Sequence, residues 1–119
     1  MADQLQTNIT VTYKKGNVTF SEVTVAAPED LTGAGVASGI ISATTAAMAI
    51  PLGGVTTSGV ATFKNLDATN YLEIGFDSSG FVSISKLLPG EVAIIPLVNA
   101  PWVRAHTAAC LLQYKIMDR

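Results

Sequence analysis

His106 and Cys110 are the first residues to consider for chemistry, because each is the single residue of its type in this 119-residue chain. They stand four positions apart in a segment that is predicted to be a strand. Their side chains would then share a face but lie about 13 Å apart, which is too far for a catalytic dyad. We therefore expect His106 to be an ordinary polar residue. We expect Cys110 to be a small buried hydrophobe, since no basic neighbour favours its thiolate.

The acidic residues show no pattern that predicts a catalytic or metal site. A glycosidase needs two converging carboxylates, and a calcium loop needs a series of oxygen ligands; the sequence around Asp77 reads instead as a hairpin turn. Gly33-Ala-Gly35 lacks the remaining residues of a phosphate-binding loop. We therefore expect no enzyme activity, no catalytic residues, no metal and no cofactor. The acidic residues considered are Glu29, Asp30, Asp67, Glu73, Asp77 and Glu91.

Four residues are candidates for contacts with a partner. Trp102 and Arg104 stand together near the end of the chain, and both types are enriched at binding hot spots. The alternative is that Trp102 packs as core or caps the sandwich. Leu5 belongs to a polar N-terminal arm, which could be a disordered tail or could add to the sheet edge of a neighbour. Leu31 is the apolar candidate in a long loop.

Alternation of apolar and polar residues, the pattern of a half-buried strand, first occurs near the start of the chain. Ile9, Val11 and Tyr13 alternate with threonines, residues 14–17 interrupt, and apolar residues recur over 18–25 (VTFSEVTV). β-Branched residues on both sides of Gly-Asn predict a hairpin, because Gly and Asn tolerate the positive φ of a tight turn.

The next part of the chain is less regular. Residues 26–39 contain three glycines and a proline and are predicted to form a long connection, a kind of segment that is often functional or mobile. Residues 40–52 are ambiguous, because the Ala-rich stretch could form a short helix. The β-branched residues and Pro51 favour a strand, which is our prediction.

From residue 59 onward the alternation is regular. The segments 67–70 (DATN), 77–80 (DSSG) and 89–90 (PG) are predicted turns that separate short strands. Pro96 indicates an edge strand or a strand end. Short strands at this spacing, with no strong helix, predict an antiparallel sandwich or barrel.

The expected fold class is therefore all-β. We predict an antiparallel β-sandwich, jelly-roll-like, with about eight short strands. The expected domain organisation is an N-terminal arm at 1–6 and a single β-sandwich domain at 7–119 that includes the connection at 26–39.

Charge is scarce in this sequence. Charged residues make up 13% of the chain and the net charge is −2, whereas soluble domains carry about 25%. A slightly negative net charge offers no basic surface for phosphates, so nucleic-acid binding is disfavoured. The N-terminus carries no apolar signal segment, and the apolar stretch 34–52 is interrupted by glycine and proline, so neither secretion nor a membrane span is expected. So few charges suit a protein that is buried in an assembly.

Three stretches resemble small structural proteins of tailed bacteriophages: 63–75 (FKNLDATNYLEIG), 86–97 (KLLPGEVAIIPL) and 106–116 (HTAACLLQYKI). The resemblance covers a little under half of the chain and none of its N-terminal half. It implies a structural role in a virion, its tail or its head decoration, and it brings no catalytic residues.

The expected function is that of a non-enzymatic virion structural protein, a capsid decoration or cement protein on the outside of the head. Its partners would be the major capsid protein and copies of itself, with neither nucleic acid nor membrane, and it would be made in the host cytoplasm without secretion. The alternatives are a minor tail, neck or fibre-base component, or a carbohydrate-binding attachment module. A carbohydrate-binding module would need exposed aromatic side chains on which sugars stack, and the candidates here are Tyr71, Trp102 and Tyr114.

Overall fold

A computed structural model of the chain describes residues 4–26, 29–30 and 35–118. Those ranges contain β-strands and no helix, which confirms the all-β prediction. The described ranges therefore hold no helix that could cross a membrane. Contacts divide the chain into two units, Met1–Thr32 and Gly33–Arg119. The strands are β1 (Gln4–Leu5), β2 (Asn8–Lys15), β3 (Val18–Val25), β4 (Glu29–Asp30), β5 (Val36–Ala43), β6 (Met48–Ala49), β7 (Ser58–Asn65), β8 (Leu72–Asp77), β9 (Phe81–Leu87), β10 (Val92–Pro96), β11 (Trp102–Ala105) and β12 (Cys110–Asp118).

The first unit is a two-stranded antiparallel ribbon made of β1 to β4, which we call the ribbon. β2 pairs with β3 along its full length, and β1 pairs with β4. Between these two ladders the Ala26 N–H donates to the Thr7 carbonyl at 2.9 Å. The predicted hairpin is confirmed, with Gly16-Asn17 as its two-residue loop. Gly16 has φ +58°, which the first central position of a type II′ turn requires.

The predicted domain boundaries differ from this division. Part of the predicted arm, Gln4–Leu5, is paired as β1, and part of the predicted connection, Glu29–Asp30, is paired as β4. The connection also ends early, since β5 begins at Val36. Alternation in β2 and β-branched residues in β3 predict two strands, but they do not show which sheet the strands join. Both strands belong to the first unit and not to the sandwich.

The second unit is a sandwich of two four-stranded sheets, ordered β10-β7-β12-β5 and β6-β11-β8-β9. The strands pair first with last, as in a hairpin folded over on itself: β5 with β12, β6 with β11, β7 with β10 and β8 with β9. Two further pairings, β12 with β7 and β11 with β8, complete the sheets. This nested order is the jelly roll, so the predicted fold class is confirmed.

The core lies between the two sheets of the sandwich. Phe63, Leu112 and Ile116 contribute from one sheet, and Leu72 and Ile74 contribute from the other. Residues of β12 are alternately buried and exposed, as a strand with one face against a core must be. All described members of this core cluster lie between residues 37 and 116.

Several local predictions are also settled by the sandwich. Residues 40–52 contain no helix: β5 ends at Ala43, and only Met48–Ala49 forms a further short strand. Pro96 is the last residue of β10, an edge strand, where its missing N–H costs no ladder hydrogen bond. At the 77–80 turn Ser79 has φ +60° and Gly80 has φ +126°.

Candidate interaction surfaces

Trp102 and Arg104 lie on the outer face of the β6-β11-β8-β9 sheet. They are two residues apart on β11, while Val103 and Ala105 between and after them point into the core. Both Trp102 and Arg104 are half-buried. Trp102 is paired with Gly75 on one side and with Ala49 on the other. The structure therefore brings these two interface candidates together on one surface.

Arg104 is held in place by two contacts. Its guanidinium Nη2 donates to Glu73 Oε2 at 3.0 Å, and Glu73 is its direct cross-strand partner on β8. The guanidinium carbon also lies 4.7 Å from the centroid of the Phe81 ring, a cation–π contact. Burial raises the pKa of Glu73, but hydrogen bonds from Ser83 and Arg104, together with the Arg104 charge, outweigh it and leave this pKa below its ordinary value. Glu73 and Phe81 were not foreseen as partners, because the sequence does not show which strands are neighbours.

Tyr71 lies at the same end of this sheet, between two other side chains. Its ring stacks on His106 with centroids 4.5 Å apart and an interplanar angle of 16°. The Lys86 Nζ lies 4.2 Å from the centroid of the Tyr71 ring. His106 is exposed and serves as an aromatic neighbour of Tyr71 in this arrangement.

The three aromatics considered for sugar binding are not brought to one site. A sugar ring stacks on an open aromatic face, and the Tyr71 ring is in contact with Lys86 and His106. Tyr114 is buried, on a strand of the opposite sheet. Trp102 remains as a half-exposed aromatic on the outer face, and one ring does not make a stacking platform.

Cys110 is buried in the core, as predicted. Its Sγ lies 3.4 Å from the Ala108 carbonyl, which accepts its S–H. Burial, with a smaller contribution from the Asp67 charge, raises the pKa of this thiol. The thiol therefore stays protonated near neutral pH.

Three carboxylates of the sandwich accept backbone N–H groups in turns. Asp67 Oδ2 accepts the Asn70 N–H at 2.6 Å, Asp77 Oδ1 accepts the Gly80 N–H at 2.8 Å, and Glu91 Oε1 accepts the Leu88 N–H at 2.7 Å. Within the described ranges no group of three or more His, Cys, Asp or Glu residues is placed to hold a metal ion.

The outer face of the β10-β7-β12-β5 sheet carries a shallow depression of about 610 Å³. Lys64 and Lys115 lie in it, on neighbouring strands, with Thr62 and Gln113 as their direct cross-strand partners. Ile40 and Val92 line opposite sides, on the two outer strands. Alternation alone places Thr62 and Lys64 on one face of a strand, but only the pairing of β7 with β12 brings Lys115 beside them.

The ribbon is the most exposed part of the described chain, since every residue from Asn8 to Ala26 is exposed. Ile9, Val11 and Tyr13 share one face with Phe20 and Val18 of the partner strand, because directly paired residues point the same way. The Tyr13 and Phe20 rings are 6.0 Å apart. The large apolar side chains exposed on the ribbon, from 42% for Ile9 to 63% for Val25, are Ile9, Val11, Tyr13, Val18, Phe20, Val23 and Val25.

Leu5 and Leu31 are the remaining two interface candidates. Leu5 lies in β1, where its backbone pairs with Glu29. Leu31 lies outside the described residues. Both stay predictions.

The sequence matched neither any known protein family nor any curated protein, and the fold matched no solved structure.

Proposed function

We propose that this chain is a non-enzymatic structural protein of a tailed-bacteriophage particle, a decoration protein that binds the outside of the head and stabilises the capsid lattice. Its partners in this proposal are the major capsid protein and further copies of itself. The resemblance of residues 63–116 to phage structural proteins supports a virion role. A jelly roll also suits it, because this architecture is used in capsid domains, although that argument is one of fold analogy.

The exposed ribbon is the observation that carries the proposal. A two-stranded hairpin alone is marginally stable in water, and three strands or a second layer are normally needed. In the described part of the chain β2 and β3 pair only with each other, so the ribbon has no third strand. Its apolar side chains would be covered if the ribbon lay against a neighbouring subunit.

The length of the ribbon fits this role. β2 has eight residues, which at the rise of a strand makes it about 27 Å long. An element of that length can reach from one subunit to the next. Repeated over many equivalent sites, even modest contacts of this kind give stable occupancy.

The copy number of the chain tests the proposal. Virions of the phage that encodes it would be purified, and the chain and the major capsid protein would be quantified by mass spectrometry. A ratio near one, or near one per capsomer position, is expected. A trace ratio would instead place the chain in the tail, neck or fibre base. Complete absence from virions would overturn the proposal.

Variants of the ribbon test the element that carries the argument. Replacing Ile9, Val11 and Tyr13 together by Thr should lower virion occupancy at least tenfold, because these side chains supply the apolar contact. The matched control is Thr10→Ser with Thr12→Ser, on the opposite face of the same strand. Equal occupancy of the two variants would show that the apolar face is not the contact.

A further inference from the structure

The outer face of the β10-β7-β12-β5 sheet combines exposed apolar side chains with basic ones. Ile40 is 57% exposed, Val92 61% and Leu111 50%. In register, one row across the four strands reads Ile40, Gln113, Lys64 and Val92. Apolar residues thus flank a polar, basic centre on this face, which we call the lysine face.

Lys64 and Lys115 form the centre of the lysine face. They are diagonal neighbours, since Lys64 pairs with Gln113 and Lys115 pairs with Thr62. Such diagonal positions lie about 7–8 Å apart, so two ammonium groups are concentrated in a small area. Both side chains are exposed.

Charge on the lysine face is of one sign. The outward positions on the four described strands carry no carboxylate, although acidic residues outnumber basic ones in the whole chain, 9 to 7. The salt bridge found among the described residues, Arg104 to Glu73, is on the other sheet. The two lysines thus have no carboxylate within salt-bridge distance in that part of the structure.

We propose that the lysine face docks onto an acidic protein surface, that of the major capsid protein. This inference rests on the proposed function, and it adds which face of the sandwich meets the lattice and what charge it meets there. Carboxylates of the partner would pair with Lys64 and Lys115, while apolar side chains of the partner would cover Ile40 and Val92. Complementary charge steers association and fixes its register.

The size of the lysine face agrees with such a contact. Four strands spaced by about 4.8 Å, each crossing the face for about 20 Å, define a patch smaller than a standard interface. A single contact of this size would be weak, and a lattice offers many of them at once.

The test uses a phage from which the gene for this chain has been deleted. The host cell supplies wild-type or variant chain in trans. Lys64→Glu with Lys115→Glu is compared with Lys64→Arg with Lys115→Arg, which keeps the charge, and occupancy of purified virions is measured by quantitative mass spectrometry. The Glu variant should lose at least tenfold in occupancy and the Arg variant less than twofold. Wild-type chain should also be released by raising the NaCl concentration, since exposed ion pairs are screened by salt.

The outcomes separate this inference from the proposed function. If wild-type chain is absent from virions, the proposed function fails. If wild-type chain is present and the Glu variant matches it, the lysine face is not the docking surface and the proposed function stands. Both purified variants should have the circular dichroism spectrum and the thermal unfolding temperature of the wild-type chain, because the substituted side chains are exposed. A loss of occupancy then reflects weaker binding and not a misfolded chain. Sedimentation of the purified chains measures self-association. If the Glu variant alone loses self-association while its virion occupancy is unchanged, the lysine face binds a second copy of the chain and the inference is wrong.

Discussion

At the scale of single residues, Asn65 has a structural role that its position in the sequence did not reveal. Its side chain is fully buried at the end of β7. Its Nδ2 donates to the carbonyls of Asn70 and Leu87, both at 3.0 Å, and its Oδ1 accepts the Asp67 N–H at 2.9 Å. One amide thus joins the end of β7, the following turn and the end of β9. Alternation places Asn65 on the same face of its strand as Phe63, but it could not supply these partners.

Asp118 is the second such residue, and it closes the end of the last strand. The Thr57 N–H donates to its Oδ1 at 2.9 Å, and the Thr56 hydroxyl donates to its Oδ2 at 3.2 Å. The backbone hydrogen bond from Thr57, helped by Thr56, holds the pKa of this carboxyl below its ordinary 3.8. The charged form of Asp118 is therefore favoured in the folded state.

This lowered pKa predicts how stability depends on pH. Because the folded pKa lies below the unfolded one, the stabilisation is complete above the unfolded pKa and is lost as pH falls through the folded pKa. Asp118→Asn should therefore reduce the free energy of unfolding at pH 7. Between about pH 5 and pH 2 the free energy of unfolding should also fall less in the variant than in the wild-type chain. Urea unfolding followed by circular dichroism across that range measures both effects. An unchanged pH profile in the variant would contradict the assignment to Asp118.

At the scale of elements, the β8–β9 hairpin contains an irregularity that depends on a glycine. The register shifts between Ile74 and Gly75, so that Gly75 pairs with Ser83. A Cβ at Gly75 would overlap the Val82 carbonyl oxygen. The close approach of the two backbones at this bulge explains why position 75 requires a glycine.

Gly75→Ala should therefore destabilise the protein, by about 2–3 kcal/mol, because backbone atoms must move to admit the methyl group. The matched control is Gly54→Ala, since a Cβ at Gly54 meets nothing within 4 Å. That variant should range from no change to a gain of about 1 kcal/mol. Chemical denaturation of both variants makes the comparison, and equal stability of the two would rule out the steric explanation.

At the scale of the whole molecule, the division into two units has a consequence for folding. The core cluster of the sandwich draws its described members from residues 37–116 alone. A chain that begins at Gly33 should therefore fold by itself and unfold cooperatively. Circular dichroism and urea unfolding of that shortened chain, beside the full one, measure this. An unfolded spectrum would contradict the prediction.

Local pattern in the sequence predicted the all-β class, the turns at 67–70 and 77–80, and an edge-strand or strand-end position for Pro96. It also determined that Cys110 is buried, because alternation and turn chemistry depend on neighbours in the chain. The boundaries near 26–39 could not be placed in this way, since pairing of Gln4–Leu5 with Glu29–Asp30 joins residues far apart in sequence.

Tertiary structure alone decided which strands are neighbours. A strand pattern shows which side chains share a face but leaves the partner and the register open, because both are set by contacts distant in sequence. The pairing of β11 with β8 brings Glu73 to Arg104, and the pairing of β7 with β12 brings Lys64 beside Lys115. The exposed ribbon depends on the same kind of information, because β2 carries the alternation of a core strand while both faces of β2 and β3 are exposed.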